Sequence, residues 1–212
     1  MSILLLTGAV TLGTEIRWDG YSLRPPGGFV LARMELFRET GAGALSLSPV
    51  SSRALSAALV DRPGEDSASM LISVVDGTFQ ATPAGRDELS TAVVRHFAEE
   101  IRLALALDRA ELISAGAPRV EVLGTVRQEG QLRNVLVAGM AGKGKHAVII
   151  FSVPSGRWAD LNPQIRDSLD SFKNDPPAGN EIPRGLIGAA VLVGALIAAL
   201  AAWRHRQRER VL

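Results

Sequence analysis

Residues 185–203 read GLIGAAVLVGALIAALAAW, nineteen positions without a charge, a strong polar group or a proline. Few structures suit such a stretch. As an α-helix it is roughly 28 Å long, close to the roughly 30 Å hydrocarbon core of a bilayer. A buried helix of a soluble core normally keeps one polar stripe, and this segment has none. A single transmembrane α-helix over residues 185–203 is therefore predicted. Residues 173–184, KNDPPAGNEIPR, are rich in Pro, Gly and Asn and read as a linker. On the other side, Trp203, Arg204 and Arg206 open a basic tail, residues 204–212, with the composition of a membrane-interface anchor.

Charge gives the span a direction. The whole chain has 23 Lys+Arg, 22 Asp+Glu and a net charge of +1, which offers no reason to expect a nucleic-acid partner. Four arginines and one glutamate lie beyond Arg184; without them 19 basic and 21 acidic residues remain, a net charge of −2. The positive excess thus belongs to the tail. By the positive-inside rule the C-terminus is expected in the cytoplasm and the domain outside it. Export needs a signal, and residues 3–12, ILLLTGAVTL, have the length of an apolar signal core, with Thr11 and Gly13 small enough for cleavage before Thr14. No Lys or Arg precedes Arg17, however, so residues 1–13 read equally as a degenerate signal or as a first β-strand. In the second case the protein is tail-anchored with a cytosolic domain. Within the span, Ala190, Gly194, Ala198 and Ala202 recur every four residues along one helix face, a spacing that lets two helices approach closely and so allows a homo-oligomer through the span.

Residues 14–172 carry the pattern of a folded α+β domain without internal repeats. A short strand is expected over residues 21–26, ended by the double proline and Gly27, Gly28, and another over residues 29–37, where Val30, Ala32, Met34 and Leu36 alternate with their neighbours. Residues 41–60 fit short strands or a helical turn. Residues 70–75 form a compact apolar run stopped by Asp76 and Gly77, as in a buried strand. A long helix begins with Thr82 as cap and Pro83 at the first helical position, and Leu89, Val93, Phe97, Ile101 and Leu105 extend its apolar face. After Leu107 strands are expected near residues 111–114, 120–126, 131–140 and 147–153, the last two joined by the turn Gly142, Lys143, Gly144, Lys145. Leu161, Ile165, Leu169 and Phe172 then mark a second amphipathic helix over residues 158–172. One antiparallel sheet with helices packed on it accounts for this order.

Gly20, Tyr21, Pro26, Gly28 and Phe29 near the start, and Ser168, Leu169, Asp170, Ser171 and Phe172 at the end of the last helix, give residues 20–172 a pattern that resembles the PsbP/DcrB-like α/β sandwich. The resemblance implies mostly non-enzymatic roles, since extrinsic subunits of photosynthetic complexes, envelope lipoproteins, secretion-effector chaperones and a nuclear-import factor share that fold. The lipobox cysteine of the lipoproteins has no counterpart here, and the C-terminal span is expected to supply the tether instead.

No motif supplies chemistry. Gly139 to Lys145 match G-x-x-x-x-G-K, but His146 stands where a nucleotide-binding loop needs Ser or Thr, and the following HAVIIFSV reads as a strand. The three histidines, His96, His146 and His205, form no pair at metal-ligand spacing, and the chain has no cysteine. No G-x-S-x-G elbow occurs. Glu99 and Glu100 point about 100° apart on a helix and cannot share one substrate. Asp61, Glu65 and Asp66 around Pro63 and Gly64 suggest a polar turn before a cation site. No catalytic residue, cofactor or metal is expected. The sequence predicts a membrane-tethered binding or adaptor domain acting on a protein partner, with a tail-anchored cytosolic chaperone for apolar segments, or an enzyme without a recognisable motif, as alternatives.

Overall fold

The computed structural model describes residues 12–31, 55–62, 66–128 and 130–174. The predicted span, with Ala190, Gly194, Ala198 and Ala202, and the anchor residues Trp203, Arg204 and Arg206 lie outside the described residues, as do residues 1–11 and 32–37 of the expected strands. Among the described residues no helix is long and apolar enough to cross a membrane.

The elements in chain order are β1 (Ile16–Trp18), β2 (Tyr21–Leu23), β3 (Val30–Leu31), β4 (Leu55–Val60), β5 (Ser69–Asp76), α1 (Pro83–His96), β6 (Ala106–Ile113), β7 (Arg119–Gln128), β8 (Gln131–Met140), β9 (Lys145–Pro154), α2 (Trp158–Asp170) and β10 (Lys173–Asn174). Seven strands form one antiparallel sheet in the order β3-β4-β5-β9-β8-β7-β6, and a small sheet has the order β1-β2-β10. The two-residue turn Asp19, Gly20, with φ of 48° and 86°, closes the β1–β2 hairpin in the sense that suits strand twist.

Strand β9 shows why the large sheet is a middle layer. Ala147, Ile149, Phe151 and Val153 face one core, with Leu161, Ile165 and Leu169 of α2 and with Trp18, Tyr21 and Phe172. Val148 and Ile150 face the other, with Leu89 and Val93 of α1 and with Phe97. A strand with five successive apolar residues, 147–151, can bury both faces only between two covering layers. The architecture is therefore three-layered: α1, the sheet, then α2 with the small sheet.

Local signals set most boundaries. Thr82 Oγ1 accepts the Gly85 N–H at 3.2 Å and Pro83 opens α1, as the sequence predicts. The end differs. A spacing of four overshoots an α-helical turn by about 40° at each step, so by Leu105 the stripe has rotated by roughly 160°. The chain leaves the α-helix at His96, widens into a π turn over Phe97–Ile101, and stops at Arg102 with φ 58°, where the Leu103 N–H bonds to the Phe97 carbonyl at 3.0 Å. Ile101, Leu103 and Leu105 pack half-buried against the α1-side core. Strand β6 consequently starts at Ala106, five residues before the predicted strand. Lys173 and Asn174, placed in the linker by the sequence, pair with Ser22 and Tyr21 as β10, so the folded domain runs to Asn174.

Candidate functional site

Three groups of charged side chains are the places where chemistry or binding would reside. The first joins α2 to the sheet. Arg119 and Glu121 are two apart on β7, so both face the α2 side with Leu123, and each is only 2% exposed. Arg119 Nε donates to Glu121 Oε1 at 2.7 Å, and its Nη1 donates to Asp170 Oδ1 at 2.6 Å and to the Ala117 carbonyl at 3.1 Å. Arg166 Nη1 lies 3.2 Å from Glu121 Oε2. Two residues of α2 are thus tied to two of β7, and the four charges balance. The arrangement fixes a helix and leaves neither buried group turned toward a ligand.

The second group occupies the end of the sheet near the β4–β5 connection. Buried Arg133 donates from Nε to Ser152 Oγ at 2.9 Å and from Nη2 to the Ser67 carbonyl at 2.6 Å. Burial lowers the Arg133 guanidinium from its ordinary value, Asp66 and Asp61 raise it again, and Arg157 lowers it. An arginine titrates so high that it stays cationic at neutral pH. Arg157 binds the Asp61 carboxylate and donates to the Asp66 carbonyl at 2.8 Å, while Asp61 Oδ1 accepts the Ala68 N–H at 2.8 Å. Asp61, read from the sequence as part of a polar turn, holds the turn closed through Arg157 and its own backbone. Glu65 lies outside the described residues.

The third group sits at the opposite end, on the β8–β9 connection. The G-x-x-x-x-G-K match joins two antiparallel strands, and no helix follows Lys145, so the dipole and amides of a phosphate cradle are lacking. Its glycines have other reasons. A Cβ on Gly139 would lie 2.8 Å from Phe79 Cε1, so the strand needs glycine for Phe79 to pack on it. Gly144 has φ 75° and open space around its Cα. Gly144→Ala is therefore expected to cost about 1–2 kcal/mol, the strain of a left-handed residue without a clash, measured by urea unfolding. A loss much above that range would reveal a contact the open space does not contain. His146 stacks on Phe79, with centroids 5.3 Å apart, and its Nδ1 lies 3.1 Å from the Gly77 carbonyl. Lys143 and Lys145 are exposed.

The remaining candidates stay apart. His96 is buried in α1, edge-on to Phe97, far along the chain and on another layer from His146; His205 is outside the described residues. Glu99 is exposed. Among the described residues no group of three or more His, Asp or Glu could hold a metal ion. The residues behind the family resemblance do converge, but on structure: Tyr21 stacks on Phe172 at 5.6 Å, Ser171 Oγ accepts the Arg24 N–H at 2.8 Å, Asp170 binds Arg119, and Pro26 bridges Leu12. The sequence missed Arg119, Glu121, Arg133 and Arg157; for the three on β7 and β8 the signal available was that polar residues in a sheet covered on both faces must be partnered.

No family model matches the chain, and no curated protein matches it. Among solved structures, it is similar to LpqN, involved in cell envelope biogenesis of Mycobacterium tuberculosis, at 13% identity over 79% of this chain and 92% of that one, with a TM-score of 0.46. It is also similar to the protein PA94 of Pseudomonas aeruginosa, at 13% identity over 77% and 98%, with a TM-score of 0.42. The solution structure of cyanobacterial PsbP (CyanoP) from Synechocystis sp. PCC 6803 superimposes with a TM-score of 0.57 at 15% identity, covering 79% of this chain and 95% of that one. The domain accordingly has a PsbP-like fold, as the sequence pattern predicts.

Proposed function

We propose that this chain is a membrane-tethered, non-enzymatic binding module that acts on a protein partner at the membrane surface. The observation that carries it is the junction at Asn174, where a domain whose buried charges are engaged in internal clamps is followed at once by a linker and a nineteen-residue uncharged stretch. Ten residues, 175–184, separate the two and give a root-mean-square reach of about 18 Å, so the domain stays near the bilayer and its effective concentration for membrane-bound partners rises. The chaperone alternative needs a continuous exposed apolar groove. Among the described residues the exposed large apolar side chains are Val30 and Leu31 on one edge strand, Leu107 on the opposite edge strand, Val94 on α1 and Leu132 on β8, spread over both sheet edges, a helix and an inner strand.

The expected result is that the full chain remains in the membrane pellet after alkaline carbonate extraction and is released when residues 185–203 are deleted. Extraction of the full chain by carbonate would refute the tether. Protease added to spheroplasts is expected to digest the domain; a protected domain would put it in the cytosol and replace the exported topology by the tail-anchored one.

A further inference from the structure

The chain uses twenty arginines and only three lysines, Lys143, Lys145 and Lys173. They come from two separate parts of the sequence, yet the fold gathers them at one end. Lys143 and Lys145 lie on the β8–β9 connection and Lys173 on β10, and all three are exposed. The two parts touch: Asn174 Nδ2 donates to the Ala141 carbonyl at 3.4 Å, and Asn174 pairs with Tyr21 beside the Asp19, Gly20 turn, whose Asp19 lies 3.9 Å from Lys145 Nζ. This is also the end at which the chain departs for the linker.

We propose that this lysine-bearing end is a docking face for anionic phospholipid headgroups, which stands the domain end-on against the bilayer that holds its tether. The inference rests on the tethered reading. The division of labour between the cations supports it: Arg119, Arg133, Arg157 and Arg166 make directed internal bonds, for which a planar fork is suited, whereas lysine is a mobile, strongly hydrated point charge that can meet phosphates in many geometries. Among the described residues, Asp170 at this end is bound by Arg119, with exposed Asp167 one helical turn before it, Asp19 approaches Lys145, and exposed Asp76 stands opposite Lys145 in the β5–β9 register. Among the described residues no carboxylate lies within 4.0 Å of Lys143 or Lys173. Asp19 and Asp76 stand beside Lys145, and Asp175 follows Lys173 by two residues in the sequence, so the attraction of the three lysines for phosphate is weak and falls off within a Debye length. A weak contact is enough, because the linker makes docking intramolecular and confines the face to within its own reach of the headgroups.

The absence of cysteine allows a clean test. The full chain carrying Ala115→Cys, in the β6–β7 turn at the lysine end, or Ala104→Cys, in the loop at the opposite end, is labelled with a fluorophore and reconstituted into vesicles containing headgroup spin-labelled lipid; both positions are exposed. In phosphatidylglycerol vesicles the Ala115→Cys probe is expected to be quenched roughly threefold more than the Ala104→Cys probe, and the difference to vanish in phosphatidylcholine, in high salt, and with Lys143, Lys145 and Lys173 all changed to Gln. The corresponding Lys→Arg variant should retain it. The substituted lysines are exposed, so the Gln variant is expected to keep its fold, which near-ultraviolet circular dichroism checks. Equal quenching of both probes, with the protein floating with the vesicles, overturns docking and leaves the tether standing; so does an end preference that survives the Gln variant. Failure to float with vesicles overturns the tether, and docking with it.

Discussion

Replacing Glu121 with leucine is expected to destabilise the domain by about 3–5 kcal/mol, because it leaves a buried guanidinium without its buried counter-charge. Arg119 is 2% exposed and its Nε has Glu121 Oε1 at 2.7 Å. Asp170 and the Ala117 carbonyl still hold Nη1, but neither reaches around to Nε without moving α2 or the turn that precedes β7. Arg166, which also loses a partner, is 31% exposed at its side chain and can turn to solvent, so its share of the loss is small. Two comparisons isolate the cause. Asp170→Asn removes a partner that is half exposed and should cost about 1 kcal/mol or less. The double change Arg119→Met with Glu121→Leu removes both charges and fills the same space with apolar atoms, and should recover most of the stability lost in the single variant. Urea titrations of the full chain held in mild detergent, followed by near-ultraviolet circular dichroism, provide the numbers. A Glu121→Leu loss below about 1 kcal/mol, or a double variant no better than the single one, would show that the buried charge does not dominate there.

Those charges explain which part of the molecule was legible from its residues. Strand β8 falls on the predicted residues, and the start of α1 is where Thr82 and Pro83 place it, because turn glycines, caps and alternation are local signals. The end of α1 is not local. Leu89, Val93, Phe97, Ile101 and Leu105 look like one helical stripe, and only their rotation around an α-helix shows that the stripe cannot continue, which the chain resolves with a π turn. Arg119, Glu121 and Arg133 were illegible for a different reason. A charged residue in an alternating strand normally faces water, and it becomes a buried clamp only when a distant element settles on it: α2, much further along the chain, for Arg119 and Glu121, and the Ser67 segment, from the other side of α1, for Arg133.

The lysine end shows the same limit. Nothing in the spacing between Lys145 and Lys173 places them together; the antiparallel return of β9, the passage of α2 across the sheet and the short pairing of β10 with β2 do that. By contrast, the residues that give the PsbP-like resemblance were readable as a motif but not as a mechanism. They are contacts between the N-terminal hairpin and the end of α2, which is why the fold follows from them and a function does not.

If that junction is what the motif encodes, Phe172→Ala should be among the most damaging single changes in the chain, with an expected loss of about 3–5 kcal/mol. Phe172 is 7% exposed and is the point at which three elements meet: its ring stacks on Tyr21 of β2 at 5.6 Å and lies 6.4 Å from Trp18 of β1, and the residue stands just beyond Ser171, the cap of α2. Removing it opens a cavity between layers that are held apart by other rigid contacts, the Arg119 to Asp170 bond on one side and the Arg24 to Ser171 bond on the other, so collapse into the space is restricted. The ring contacts themselves account for about 0.5–1.5 kcal/mol per pair of the total. Phe172→Leu keeps most of the volume and should cost about half as much or less, which separates the cavity from the loss of stacking. The spectroscopic consequence is specific: the near-ultraviolet signal of Tyr21 and Trp18 should diminish even in native buffer for Phe172→Ala, whereas the Gly144→Ala protein should keep it. A Phe172→Ala chain with native midpoint and spectrum would mean that β1, β2 and β10 are decoration on a domain that the large sheet and its two helices hold together alone.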